Sequence, residues 1–267
     1  MTEARVTVTL EGLTAIVRLN RPDKHNGVDV AMIQALIAAA KQLKKNRDIR
    51  AVILTGEGPS FCAGIDVKSM FAGGAMGSLF AVLPLLKPTA NKYQNVCLIW
   101  RTLSVPVIAA IHGNCFGAGI QLALGADVRF ASPDAKLAVM EAKWGLIPDM
   151  AGMLLLREVL PRDVAFELTA TGRILTADEA KTLGLITRVE ADPLAAAKAL
   201  AAQIATRSPD ASAAAKRLFR EVWNASEHRV LAGERRWQLR MLLGKNQRIA
   251  SARNMGKPDA AYLPRQW

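Results

Sequence analysis

Two short glycine-bearing segments constrain this chain more than anything else in it: Phe61-Cys62-Ala63-Gly64-Ile65-Asp66 and His112-Gly113-Asn114-Cys115-Phe116-Gly117-Ala118-Gly119. Each follows an apolar, strand-like run and precedes a helix-like one. Glycine at such a junction lets the backbone turn tightly. The helix N-terminus that follows offers N–H groups with no partner inside the helix. One loop of this kind alone reads as a tight turn. Two together read as a single anion hole, in which backbone donors converge on an oxygen that becomes negative during a reaction.

The runs around these loops define an α/β layout. Residues 6–10, 15–19, 51–55, 107–111 and 128–131 read as strands, and residues 28–45 as a helix with apolar positions at helical spacing. Strands alternating with helices argue for layers of helix on sheet. From about residue 176 the pattern is mostly helical. There, Thr176-Ala177-Asp178-Glu179 fits a capping box, and Ser208-Pro209 fits an N-cap followed by proline at the first helical position. The segment Gly73-Gly74-Ala75-Met76-Gly77-Ser78 reads as a mobile loop. No repeat of solenoid period is present.

Four motifs in order carry a resemblance. The stretch from Ser60 to Met70, the glycine turn 113–121, and Met140-Glu141 through Gly145-Leu146-Ile147-Pro148-Asp149 resemble the enoyl-CoA hydratase/isomerase family, the crotonase superfamily. Leu19-Asn20-Arg21-Pro22-Asp23-Lys24-His25-Asn26 is similar to that family's N-terminal signature. The likeness runs from about residue 6 to the helices beyond 208. It implies a crotonase-type ββα spiral core over residues 1–190. It also implies a helical region, 191–267, that packs subunits together and covers the ligand, in a homotrimer or a dimer of trimers. The implied substrate is an acyl-CoA thioester, with coenzyme A as part of the substrate and no separate cofactor.

The resemblance also assigns places. The N–H groups of Ile65 and Ala118 align with the two donors to the thioester oxygen. Ala63, Gly64, Ile65, Asp66, Val67 and Lys68, with Gly117 and Ala118, resemble the strip along coenzyme A. Lys24 lies in the other strip of that groove, where it reads equally as a point charge for phosphate or as a surface lysine.

Acidic residues decide the chemistry. Hydratases of the family hold a water between two glutamates; the second aligns with Glu141, but Gln121 stands at the first. An amide neither takes nor gives a proton at ordinary pH, so general acid–base hydration loses one of its groups. A second carboxylate, Asp149, follows Glu141 by eight residues, which is similar to the dienoyl-CoA isomerases of the family. Two carboxylates in different environments can divide proton removal and delivery between them. The residues leave a plainer reading of Asp149 open, as the N-cap of a helix starting near Met150. The expected activity is therefore double-bond isomerisation of an unsaturated acyl-CoA by Glu141 and Asp149. The alternatives are hydration, with Glu141 as sole carboxylate and Gln121 holding water, and a non-catalytic acyl-CoA-binding subunit.

Composition narrows the remaining classes. At 267 residues, 51% of them hydrophobic, the chain can bury a sizeable core. Residues 1–9 show no cationic segment followed by an apolar core, and His112, Asn114, Gln121 and Asp127 interrupt the apolar runs, so neither export nor membrane insertion is expected. Three cysteines without paired spacing argue against a disulfide framework or a zinc site and for a reducing cytoplasm. The formal charge of +12 suits an anionic partner. Aromatics are only 5% and the cations are scattered without a binding motif, so nucleic acid is not that partner; the nucleotide of coenzyme A suits part of the excess.

Overall fold

The computed structural model describes residues 4–70, 83–86 and 88–267; the glycine-rich segment 73–78 lies outside them. The described strands are β1 (Val6–Glu11), β2 (Thr14–Leu19), β3 (Ala51–Gly56), β4 (Val107–Ile111), β5 (Asn114–Phe116), β6 (Val128–Ala131), β7 (Lys136–Ala138), β8 (Leu175–Thr176) and β9 (Arg188–Val189). Six of them form one sheet in the order β1-β2-β3-β4-β6-β9, and β5-β7-β8 form a second, smaller one. The first pair is an antiparallel hairpin, and every later neighbour in the large sheet is parallel.

Parallel strands covered on both faces read as nearly continuous apolar runs, and the central strands β3 and β4 do so. Val52 and Leu54 turn to one side with Ala109 and Ile111, while Ile53, Ile108 and Phe130 turn to the other. On the first side lies α1 (Val30–Lys45), with Met32, Ile33, Leu36, Ala40 and Leu43 buried along one stripe. Each of the larger side chains among these stabilises the fold by about 1.5–3 kcal/mol. The helix expected from residue 28 starts two residues later because Asp29 is its cap: extended in backbone, it accepts the Met32 N–H at 2.7 Å.

Among the described residues six further helices follow before the C-terminal region: α2 (Val67–Met70), α3 (Lys92–Leu98), α4 (Ala118–Leu124), α5 (Gly152–Leu156), α6 (Arg162–Thr171) and α7 (Ala177–Leu183). Then come α8 (Pro193–Ala205), α9 (Pro209–Val222), α10 (Glu227–Leu242) and α11 (Lys245–Asn254). Ala197 and Ala201 let α8 lie close on the second face of the sheet, so this helix serves the core although it follows residue 190. The text read as helical also holds two short strands, β8 and β9, the latter completing the large sheet. Half of the expected capping box forms at α7. Thr176 Oγ1 accepts the Glu179 N–H, but the Glu179 carboxylate pairs with Arg173 instead of reaching back.

Buried polar groups fasten the C-terminal region to the rest. Lys216 on α9 donates to the carbonyls of Trp100 and Val105 at 3.0 and 2.9 Å and pairs with Asp127 at 2.7 Å. Arg265 donates to the carbonyls of Ile49 and Asn46 at the end of α1. Among the described residues no helix is long and apolar enough to cross a membrane.

Candidate active site

The glycine loops leave neighbouring strands, β3 and β4, and run side by side. Phe61 N–H donates to the His112 carbonyl at 2.8 Å, Cys62 N–H to that of Asn114 at 2.9 Å, and Phe116 N–H to that of Cys62 at 3.0 Å. This short parallel ladder brings Ile65 and Ala118 to one place. Both residues line a cavity of about 540 Å³. Neither N–H meets an acceptor among the described residues; Ala118 is the first residue of α4, whose opening donors have no intrahelical partner. Gly117, just before it, takes φ +50° and ψ −113°, and a methyl group there would fall 3.1 Å from Glu141 Oε1. The turn therefore needs glycine both for its dihedrals and for its closeness to the carboxylate.

Glu141 opens a 3-10 turn (Glu141–Trp144) directly after the strand that pairs with β5. The side chain lines the cavity half-buried, and burial, followed by the charge of Asp149, raises its pKa above the ordinary glutamate value. Gln121 Nε2 donates to Glu141 Oε1 at 2.6 Å. Glu141 Oε2 is buried with no hydrogen-bond partner among the described residues. Asp149 lies at the rim of the same cavity, still reaching solvent, and the protein around it pushes its carboxyl upward as well.

Asp149 is not a helix cap. The helix that follows, α5, starts at Gly152, and its N-cap is Ala151 in the left-handed region at φ +66°. Gln121 is buried, 1% exposed, and stands behind Glu141 instead of lining the cavity. Its amide oxygen accepts the Met150 N–H at 2.9 Å.

The strips read as a coenzyme A groove are adjacent. Ala63 N–H donates to the His25 carbonyl, Val28 N–H to that of Gly64, and Asp66 N–H to that of Val28. Ala63, Gly64 and Val67 line the cavity with Ile65. Asp66 turns aside: its carboxylate accepts from the Ser69 hydroxyl at 2.6 Å and pairs with Arg21 at 2.8 Å. Those contacts, the Ser69 hydroxyl foremost, hold its pKa down to about 2. Lys24 is exposed on a 3-10 turn (Pro22–Lys24) beside the strip and outside the cavity lining. Of Lys68 only the backbone, in α2, is described.

Tyr93 belongs to the site without any mark of it in the amino-acid pattern. It follows the cap Asn91 by two residues, in the first turn of α3, and lines the cavity. Burial and then the Asp149 charge raise the pKa of its phenol. Its one local signal was the Asn91–Gln94 capping box, which marks a helix start and says nothing of a cavity. Met140, Trp144 and Leu146 complete an apolar wall, and Trp144 and Leu146 remain more than half exposed at its rim.

Cys62, Cys97 and Cys115 are buried free thiols. Burial pushes Cys62 up to about 12, which removes it as a nucleophile at neutral pH. His112 contacts the Gly58 carbonyl at 3.0 Å, a structural role. Among the described residues no three His, Cys, Asp or Glu side chains gather as metal ligands.

Residues 10–254 match the sequence profile of the family described as enoyl-CoA hydratase/isomerase. The mitochondrial Δ(3,5)-Δ(2,4)-dienoyl-CoA isomerase of Rattus norvegicus is 36% identical over 200 residues, 72% of this chain and 61% of the relative. Enoyl-CoA hydratase EchA19 of Mycobacterium tuberculosis is 36% identical over 225 residues, 80% of this chain and 79% of the relative. The crystal structure of an enoyl-CoA hydratase from Polaromonas sp. JS666 superposes with a TM-score of 0.86 at 31% identity, covering 97% of this chain and 99% of that one.

Proposed function

Because this chain belongs to the enoyl-CoA hydratase/isomerase family, we propose that it moves double bonds along an unsaturated acyl-CoA thioester, converting a 3,5-dienoyl to a 2,4-dienoyl chain. One observation carries this reading. Glu141 and Asp149 line the same apolar cavity as Ile65 and Ala118, while both ends of the Gln121 amide are engaged by protein.

In this reaction the thioester oxygen receives the N–H groups of Ile65 and Ala118. Glu141, ionised, removes a proton from C2, and the electron pair spreads through the conjugated chain onto that oxygen. Asp149, protonated, delivers a proton to C6 as the double bonds move to positions 2 and 4. The acyl chain keeps its composition, and the proton returns from Glu141 to Asp149 before the next turnover. The pKa of each carboxyl is raised, that of Glu141 by burial and then the Asp149 charge and that of Asp149 by burial, which suits both groups to proton transfer.

Coenzyme A then lies along residues 63–68 and the strip carrying Lys24. Subunits pack through the helical region as a homotrimer or a dimer of trimers. The dienoyl-CoA isomerase among the relatives supports this reading, and EchA19 supports hydration of a 2-enoyl-CoA as the competitor.

The test is a spectrophotometric time course with 3,5-dienoyl-CoA and, separately, 2-enoyl-CoA. Growth of conjugated-dienoyl absorbance, abolished in Glu141→Gln while acyl-CoA still binds, is the expected result. Loss of one proton-transfer group costs about 10²–10⁴-fold in kcat. Rapid loss of enoyl absorbance with no dienoyl signal overturns the proposal in favour of hydration.

A further inference from the structure

Resting on that reading, we propose that Gln121 is a positioning residue that fixes both carboxylates at once, holding Glu141 with one end of its amide and the peptide beside Asp149 with the other. The polarity of its surroundings demands an amide. Glu141 Oε1, on one side, can only accept from it; Met150 N–H, on the other, can only donate to it. A glutamate at 121 would have to stay protonated to satisfy both neighbours, and an apolar side chain would satisfy neither.

The site is shaped around this side chain. Gln121 lies three residues after Ala118 on α4, so the anion donor and the clamp are carried by one short helix. Gly152 leaves the space that the amide fills: a methyl group on it would fall 2.6 Å from Gln121 Oε1.

Two consequences follow for the carboxylates. With Oε1 held by the amide, the Glu141 carboxylate is fixed in rotation, and its other oxygen, Oε2, has no hydrogen-bond partner among the described residues. Met150 directly follows Asp149, so pinning its N–H fixes the peptide from which the Asp149 side chain departs. A proton that leaves one carbon and arrives at another needs two groups at set positions along the chain, and one amide links both. Tyr93 and Cys97 on α3 are titratable groups that feel the charges of the pair, Tyr93 that of Asp149 and Cys97 those of both carboxylates.

The experiment compares the parent protein with Gln121→Met, which keeps the length and loses both hydrogen bonds, and Gln121→Glu, which keeps an acceptor for Met150. Three quantities are read: the ¹³C titration of the Glu141 carboxyl without substrate, hydrogen exchange at Met150 N–H, and kcat and KM with 3,5-dienoyl-CoA. In Gln121→Met, Glu141 should titrate at higher pH, because a hydrogen bond to its charged form is gone. Met150 should exchange about tenfold faster or more, and kcat should fall on the order of 10²-fold with KM within about threefold. Gln121→Glu should raise the Glu141 titration while keeping Met150 protected, and it carries the test if the methionine variant does not fold. Unchanged Glu141 titration and Met150 exchange overturn the proposal. If both move while the parent turns over no dienoyl-CoA, Gln121 keeps its role and the isomerase reading falls.

Discussion

The carbonyl oxygen of Cys62 occupies the place where a side chain on Gly119 would begin: a methyl group on Gly119 would lie 2.4 Å from that oxygen and 3.0 Å from Cys62 Cβ. Helix α4 therefore presses its second residue directly on the first glycine loop, and this contact sets the spacing between the N–H groups of Ile65 and Ala118. Gly119→Ala should drive the two loops apart. A destabilisation of about 1–3 kcal/mol is expected from overpacking, with a larger proportional loss in kcat than in stability. Thermal melts and steady-state kinetics on the same preparation check this.

Asp149→Asn should remove isomerisation without lowering the melting temperature, because Ala151, not Asp149, caps the following helix. A helix cap lost to substitution costs about 1 kcal/mol, a difference that calorimetry resolves. If Asp149→Asn melted early and kept its turnover, Asp149 would have no part in the reaction.

The pH dependence of stability has a definite sign. Glu141 has a folded pKa above its ordinary value of 4.5, so the native state holds that proton more tightly than the unfolded chain does. Its stabilising share is full below 4.5 and is lost as pH rises through the raised folded value. Glu141→Gln should therefore unfold at a higher temperature than the parent at pH 8, with the gap closing as pH falls below 4.5. The acid limb of kcat should lie above the ordinary carboxylate range. Melts of both proteins across pH 4 to 8 decide the first point and a pH–rate profile the second.

Asp66 behaves in the opposite sense. The Ser69 hydroxyl and then the Arg21 guanidinium hold it at about 2, below its ordinary 3.8. Its contribution is present above 3.8 and disappears as pH falls through about 2. Ser69→Ala should raise the Asp66 titration, read from its ¹³C carboxyl signal, and speed amide exchange at Asp66, whose N–H donates to the Val28 carbonyl at 3.0 Å. Unaltered exchange at Asp66 would free its carboxylate from any role in holding the donor loop.

Local demands were readable in the chain, and distant ones were not. The long strands and the two loops showed because apolar runs and glycines answer to their own backbone. Val30 replaced residue 28 as the start of α1 because the capping role of Asp29 depends on a single side-chain hydrogen bond. Strands β8 and β9, two residues each, are too short for any period to mark them. Pro148-Asp149 before an apolar run imitates a helix start, but the left-handed Ala151 delays α5 to Gly152. The partners of Gln121 lie 20 and 29 residues away, and Lys216 reads as a solvated lysine until the fold sets it against Asp127. Contacts of this kind arise when elements pack, and no spacing announces them.

The proposed oxygen-binding donors and the proposed proton-handling groups are encoded differently. Ile65 and Ala118 contribute peptide nitrogens, which every residue except proline would supply, so the pocket's grip on a carbonyl is inherited with the course of the main chain. Glu141 and Asp149 contribute carboxyls on a short 3-10 turn and an irregular loop, outside the ladders of both sheets. One nucleotide change can rewrite either of them with little expense to folding. On the proposed function, the reaction is thus this scaffold's most editable property, and its hold on a thioester carbonyl the most durable.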